Sequence, residues 1–126
     1  MKLGYTILYV NDVNTSVAFY ERAFGLQRRF VHEGGDYAEM DTGTTALAFS
    51  SRSLMQSLGK QPQAAKPDAP SFEIAFVTDD VEKAMAQAVA AGAKAIKAPA
   101  QMPWGQTIAY VADIDGFLVE LCTPVA

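Results

Sequence analysis

The stretches "YTILYVNDV", residues 5–13, and "EIAFVTDDV", residues 73–81, superpose with a shift of 68. That shift sets Tyr5 on Glu73, Asp12 on Asp80 and Val13 on Val81. It tightens to 67 at Gly25 and Gly92, and becomes 72 where residues 46–50 meet residues 118–122. Self-similarity at a near-constant period marks a duplicated structural unit. The local patterns around the two stretches say what that unit is.

Leu3 to Val10 reads as a strand stopped by Asn11 and Asp12. Asn14 or Thr15 can cap a helix running to about Phe24, along which Val13, Val17, Tyr20 and Phe24 recur at helical spacing and after which Gly25 stops it. Strands are expected over residues 27–33, 36–41 and 45–51, separated by the turns Gly34-Gly35 and Thr42-Gly43. Residues 52–70 contain three prolines and no sustained period, so they read as a linker with one helical turn at Leu54 to Leu58. The order then begins again. Residues 71–78 form a strand and 80–91 a helix closed by Gly92. Strands 94–97, 106–111 and 117–122 follow, with Asp115-Gly116 as a turn. The fold expectation is α+β: one domain over 1–126, built from repeat one (1–51), the linker (52–70) and repeat two (71–126), whose βαβββ units curl into mixed sheets around a cleft.

Period-2 alternation sorts the faces. Leu8, Val10, Leu47 and Phe49 fall under the first helix, and Ile74, Phe76, Val119 and Leu121 under the second. Tyr5, Ile7, Ala48, Glu73 and Glu120 fall on the opposite face. Two apolar strands, "SFEIAFVTDD" (71–80) and "GFLVELC" (116–122), thus each carry one carboxylate on the surface expected to line the cleft. Such a pair can act as general acid and base, since burial and close approach raise carboxyl pKa values. It can equally persist as a hydrogen-bonded polar pair in a wet cleft.

The 126 residues are 50% hydrophobic and 19% charged, which suits one globular domain. A net charge of −4 with no basic block argues against a nucleic-acid partner. No apolar run approaches the roughly 20 residues needed to span a membrane, and the N-terminus shows no signal-peptide cleavage site. The single cysteine, Cys122, excludes an internal disulfide and fits a reducing cytoplasm. No phosphate-cradling glycine loop, nucleophile elbow or Cys/His zinc spacing is present. In "AQMPWGQ", Pro103 and Gly105 place the only tryptophan, Trp104, on a turn. There it can stack on a planar or cationic ligand for about 0.5 to 2 kcal/mol, or pack over the sheet edge. Arg52 and the single histidine, His32, suit the cleft mouth or a solvated surface.

"YVNDVNTSVAFYERAFGL", "EIAFVTDDVEKAMAQAVAAGA" and "WGQTIAYVADIDGFLVEL" resemble the vicinal oxygen chelate superfamily, which includes glyoxalase I, bleomycin-resistance proteins and extradiol dioxygenases. The resemblance spans nearly the whole chain. In metal-dependent members each repeat gives one ligand from its first strand and one from its last. Carried over, those positions are Tyr5, Ala48, Glu73 and Glu120. Tyr5 stands where a histidine or glutamine is usual, and Ala48 offers no donor. The resemblance therefore implies a bleomycin-resistance-like protein that sequesters a small aromatic or cationic drug or toxin without a metal. Its ligand-binding residues would be Tyr5, Ile7, Ala48, Glu73, Trp104 and Glu120. The alternative is a glyoxalase-like lyase, isomerase or transferase that uses Glu73 and Glu120 bare, or with a weakly bound divalent metal. No cofactor is otherwise expected. Open sheet edges and apolar walls, together with the habit of similar proteins, imply a homodimer.

Overall fold

The computed structural model describes residues 1–125. It contains eight strands and three helices among them: β1 (Tyr5–Val10), α1 (Val13–Phe24), β2 (Gln27–Val31), β3 (Tyr37–Asp41), β4 (Ala46–Ser51), α2 (Arg52–Ser57), β5 (Glu73–Val77), α3 (Val81–Ala90), β6 (Lys94–Gln101), β7 (Thr107–Ala112) and β8 (Leu118–Cys122). The strands form two four-stranded mixed sheets of identical order, β1-β4-β3-β2 and β5-β8-β7-β6. In each, the first strand runs parallel to the last and the remaining pairs are antiparallel. The expected α+β architecture of two βαβββ units is what the chain forms. The chain divides into two compact units at Ala64/Ala65.

In the first unit, the cap of α1 lies two residues before Asn14 and three before Thr15, the expected positions. Asp12, not Asn14 or Thr15, is the N-cap, and its carboxylate accepts a 2.9 Å hydrogen bond from the Thr15 backbone N–H. The physical reason is Val13, which is buried and must sit inside the first turn to reach the sheet. Gly25 closes the helix in the left-handed conformation at φ 68, a position that favours glycine. The helix lays Val13, Val17, Tyr20 and Ala23 over Leu8, Val10, Leu47 and Phe49, all buried, so the expected face assignment holds. Tyr20 and Phe49 stack with ring centroids 4.9 Å apart. Strand β4 is buried along its whole length on both faces.

The second unit repeats this plan with Asp80 as N-cap, accepting from the Lys83 N–H at 3.0 Å. Strand β6 runs four residues past the expected end at Lys97, through Pro99 to Gln101. A proline lacks the N–H a ladder needs, but β6 is an edge strand and its register shifts between Lys97 and Ala100, so Pro99 leaves no bond unmade. The Asp115-Gly116 turn is tied down by Asp113, whose carboxylate accepts from the Asp115 and Phe117 N–H groups at 2.9 and 2.8 Å. The anticipated linker carries helix α2 over Arg52–Ser57, capped by the Ser51 hydroxyl. No helix among the described residues is long and apolar enough to cross a membrane.

Candidate functional site

Residues paired across neighbouring strands point to the same side of a sheet, so register decides which side chains meet. Ala75 pairs with Glu120 and Glu73 with Leu118, while Tyr110 pairs with Glu120 from the other side. Glu73 and Glu120 therefore stand diagonally on one face of the second sheet, the face away from α3, as the repeat register predicts. The two carboxyl groups are close enough for Glu120 to raise the pKa of Glu73. Tyr110 donates its hydroxyl to Glu120 Oε1 at 3.0 Å. Glu73 is exposed and Glu120 half-buried.

The electrostatics follow from that crowding. Partial desolvation, then the hydrogen bond and negative charge of Glu120, hold Glu73 above the ordinary carboxylate range. Burial and the same carboxylate push the Tyr110 phenol up to about 12 and the Cys122 thiol up to about 11. Cys122 is buried, donates to the Phe76 carbonyl at 3.7 Å, and stays a thiol at neutral pH. That is the inert role its apolar strand suggests. Among the described residues, no lysine or arginine forms an ion pair with Glu73 or Glu120, whereas Arg28 pairs with Glu21 and Arg29 with Glu39.

The other expected residues are placed as follows. Trp104 lies 60% exposed on the β6–β7 turn, where Gly105 at φ 95 donates its N–H to the Met102 carbonyl. Its indole N–H donates to Gln106 Oε1 at 2.8 Å, and Gln106 in turn donates to the Thr123 carbonyl, so the ring is held outward rather than folded onto the sheet edge. Tyr5 and Ile7 are exposed on the face of β1 away from α1, at 58% and 45%. Ala48, paired with Ile7, is fully buried. His32 accepts from the Gly34 N–H in the β2–β3 turn, and joins none of these groups.

One residue on this face escapes a reading confined to first and last strands. Glu39, on β3, pairs with Ala48 and is 8% exposed. The Tyr37 hydroxyl donates to its Oε2 at 2.8 Å, and Arg29 stands 3.6 Å from its Oε1. Burial, then the contact with Glu39, pushes the Tyr37 phenol up to about 12, with Tyr5 close enough to add to the effect. The signal was present in "YAEMD": Ala38 and Met40 face the core, which leaves Tyr37 and Glu39 on the face shared with Tyr5.

A metal of the kind the resemblance implies does not fit this donor set. The first unit offers a phenol and a methyl group at the two positions concerned, and zinc and related ions favour nitrogen and sulfur donors. Among the described residues, no three His, Cys, Asp or Glu side chains are grouped to hold an ion.

Two βαβββ units, each with a helix-covered face and an opposite face bearing tyrosine and glutamate, define a class of small paired-repeat proteins. The sequence profile of the Glyoxalase/Bleomycin resistance protein/Dioxygenase superfamily matches residues 2–121, and the chain belongs to that family. Over 124 residues it is 31% identical to the uncharacterized protein YraH of Bacillus subtilis (strain 168), covering 96% of this chain and 97% of that one. Its fold matches a glyoxalase-related enzyme from Fulvimarina pelagi at a TM-score of 0.85 and 23% identity, over 98% of this chain and 88% of that one. It also matches a glyoxalase/bleomycin resistance protein/dioxygenase family enzyme from Burkholderia phytofirmans PsJN at a TM-score of 0.82 and 25% identity, over the full length of both.

Proposed function

We propose that this protein binds a small aromatic cation on the sheet face bearing Glu73 and Glu120, without a metal, and so sequesters a drug or toxin in the cytoplasm. The observation that carries the reading is the acid pair, which has no lysine or arginine partner among the described residues. Desolvation and the neighbouring Glu120 raise the Glu73 pKa, and a bound cation relieves that crowding of negative charge. The outward indole of Trp104 supports an aromatic ligand through stacking. On the first unit's own sheet face, Tyr5 and Ile7 are exposed and Ala48 is buried. Pairing of two protomers belongs to the same proposal, and sedimentation showing only a 13.5 kDa species at micromolar concentration would remove it.

The test is a titration with proflavine, a planar aromatic monocation, in the presence of a chelator, followed by calorimetry and by the fluorescence of the single tryptophan. Binding should be unaffected by the chelator. Affinity should rise with pH from the ordinary glutamate value of 4.5 through the raised Glu73 value, as Glu73 gains its charge. Glu120→Gln should weaken binding roughly 10-fold, the scale of one charge-assisted contact. Equal affinity for an anionic acridine sulfonate, or binding that requires added divalent ion, would sink the reading and favour the glyoxalase-like alternative.

A further inference from the structure

The second unit has a groove on its helix side, away from the acid pair. It measures about 370 Å³ and is lined by Glu82, Met85, Ala86 and Val89 of α3 and Pro99 of β6. Residues 82, 85, 86 and 89 follow the spacing of one helical stripe, which lies apart from the buried Val81 and Ala88. Met85 and Pro99 are half-covered, and Val89 is 43% exposed. All five lining residues lie within the unit Ala65–Ala126.

The first unit holds the same place with charge. There the Arg28 guanidinium of β2 donates two hydrogen bonds to the Glu21 carboxylate of α1, at 2.9 and 3.0 Å. The shift of 68 sets Glu21 on Val89. Arg28 pairs with Met40 and Met40 with Leu47, as Ala95 pairs with Val111 and Val111 with Val119, so register sets Arg28 on Ala95. An ion pair from helix to edge strand is thus replaced by two apolar side chains, neither with a polar group to bridge it. Strand β6 also breaks register beside the groove, between Lys97 and Ala100, the stretch that holds Pro99.

The lining sets the chemistry of an occupant. The volume suits a small molecule, since ligand pockets run from roughly 300 to 1,000 Å³. Four apolar residues favour an apolar body. Glu82 is the one charged residue in the lining, and among the described residues no lysine or arginine pairs with it. Asp79 and Asp80 precede it, and Lys83 alone opposes them nearby in the sequence. These carboxylates outweigh the roughly half positive charge that a helix dipole places at its N-terminus, so that end of the groove favours a cation. Glu82 and Val89 stand two helical turns apart, on the order of 10 Å along the axis.

We propose that this groove is a second ligand site, for a small linear amphiphile with a cationic head: an alkylammonium whose head pairs with Glu82 and whose chain lies along Met85, Ala86 and Val89, against Pro99. The site goes beyond the function proposed for the acid pair, and neither depends on the other.

Calorimetry with n-octylammonium, 1-octanol and octanoate, each below its aggregation limit, tests the site. The wild-type protein should bind n-octylammonium most tightly, 1-octanol roughly fivefold more weakly, and octanoate least, on the upper scale of an exposed ion pair. Glu82→Gln should bring n-octylammonium to the level of 1-octanol. Ala86→Phe places a ring in the groove from an exposed helix position and should abolish binding of both. In amide NMR spectra of the wild-type protein, n-octylammonium should shift residues 82–89. Shifts confined to Glu73, Tyr110 and Glu120 would assign the probe to the acid pair and overturn the groove site. So would octanoate binding as tightly as n-octylammonium, an unchanged n-octylammonium affinity in a folded Glu82→Gln variant, or a wild-type protein that does not bind n-octylammonium.

Discussion

The helix of the first unit and that of the second start from the same cap and bury very different amounts. Helix α1 buries Val13, Ser16, Val17, Phe19, Tyr20 and Ala23, whereas α3 buries only Val81 and Ala88. The shift of 68 sets Tyr20 against Ala88, and the stacked pair Tyr20–Phe49 becomes Ala88 with Leu121. The first unit has an aromatic interior, in which Phe19, Tyr20 and Phe24 also contact one another. The second has a thin one, with Ile74 and Phe76 only half-covered and β6 exposed along most of its length. One backbone plan therefore tolerates two cores of different depth, because register and caps fix the topology and side-chain volume only sets how firmly it is held. The unit with the thinner interior is the one that carries the acid pair.

The largest effect that comparison predicts is at its aromatic centre. Tyr20→Ala should cost about 3 to 5 kcal/mol in chemical denaturation, the scale for emptying a buried aromatic site. Ala88→Gly, at the matching position, should cost only about 1 kcal/mol of helix propensity. Similar losses at both sites would show that the interiors are more alike than their side chains.

The two turns before the last strands give the next effect. Gly43 and Gly116 share nearly the same backbone, at φ 94 and 92, where L side chains are strained. A Cβ on Gly43 meets open space, but one on Gly116 runs into the carbonyl oxygen of Ala65. Gly43→Ala should therefore cost about 1 to 2 kcal/mol. Gly116→Ala should cost roughly 2 to 4 kcal/mol, because backbone must move as well. Thermal unfolding of the two variants side by side isolates the clash from the φ penalty, and equal shifts would refute it.

The smallest effect concerns pH. Glu73 has a folded pKa above its unfolded value, so the fold favours its protonated form. Its contribution to stability is complete below the ordinary value of 4.5 and is lost as pH rises through the raised one. Glu73→Gln should flatten that fall and raise stability at neutral pH by less than about 1 kcal/mol, since Glu73 is exposed and its repulsion from Glu120 is screened. Asp12 has the opposite sign. The Thr15 backbone N–H lowers its pKa, so the stability it supplies is present above the ordinary aspartate value and lost as pH falls through the lowered one. A pH series of melting curves on Glu73→Gln and Asp12→Asn should show the two slopes diverging below neutrality.

Much of this was legible because strand faces and helix ends obey local rules. The buried Val13 and Val81 behind an aspartate, and the glycines after each helix, mark both repeats in the bare sequence. That Glu73 and Glu120 share a face follows from period 2 and the repeat, whereas their diagonal placement needed the strand register. What escaped needed longer-range information. The cap fell to Asp12 because burial of Val13, not the capping propensity of Asn14 or Thr15, decided the first turn. Strand β6 continued past Pro99 because an edge strand can spare a donor, and only the sheet order reveals that it is an edge. Glu39 was overlooked because its strand lies between the two that the family resemblance singles out, and because its neighbour Ala48 gives no hint of a charge beside it.

One edge of each sheet carries a further consequence. Strands β2 and β6 each break register, β2 between Arg28 and Phe30 and β6 at two places around Lys97. They also carry Arg28, Arg29, Lys94, Lys97 and Pro99. A straight, uncharged edge offers its unpaired backbone as a template on which other chains can add and grow into fibres. Here the row of donors and acceptors is kinked out of line, and positive charge meets positive charge when two copies approach edge to edge. At high concentration, neither of these two edges should serve as such a template.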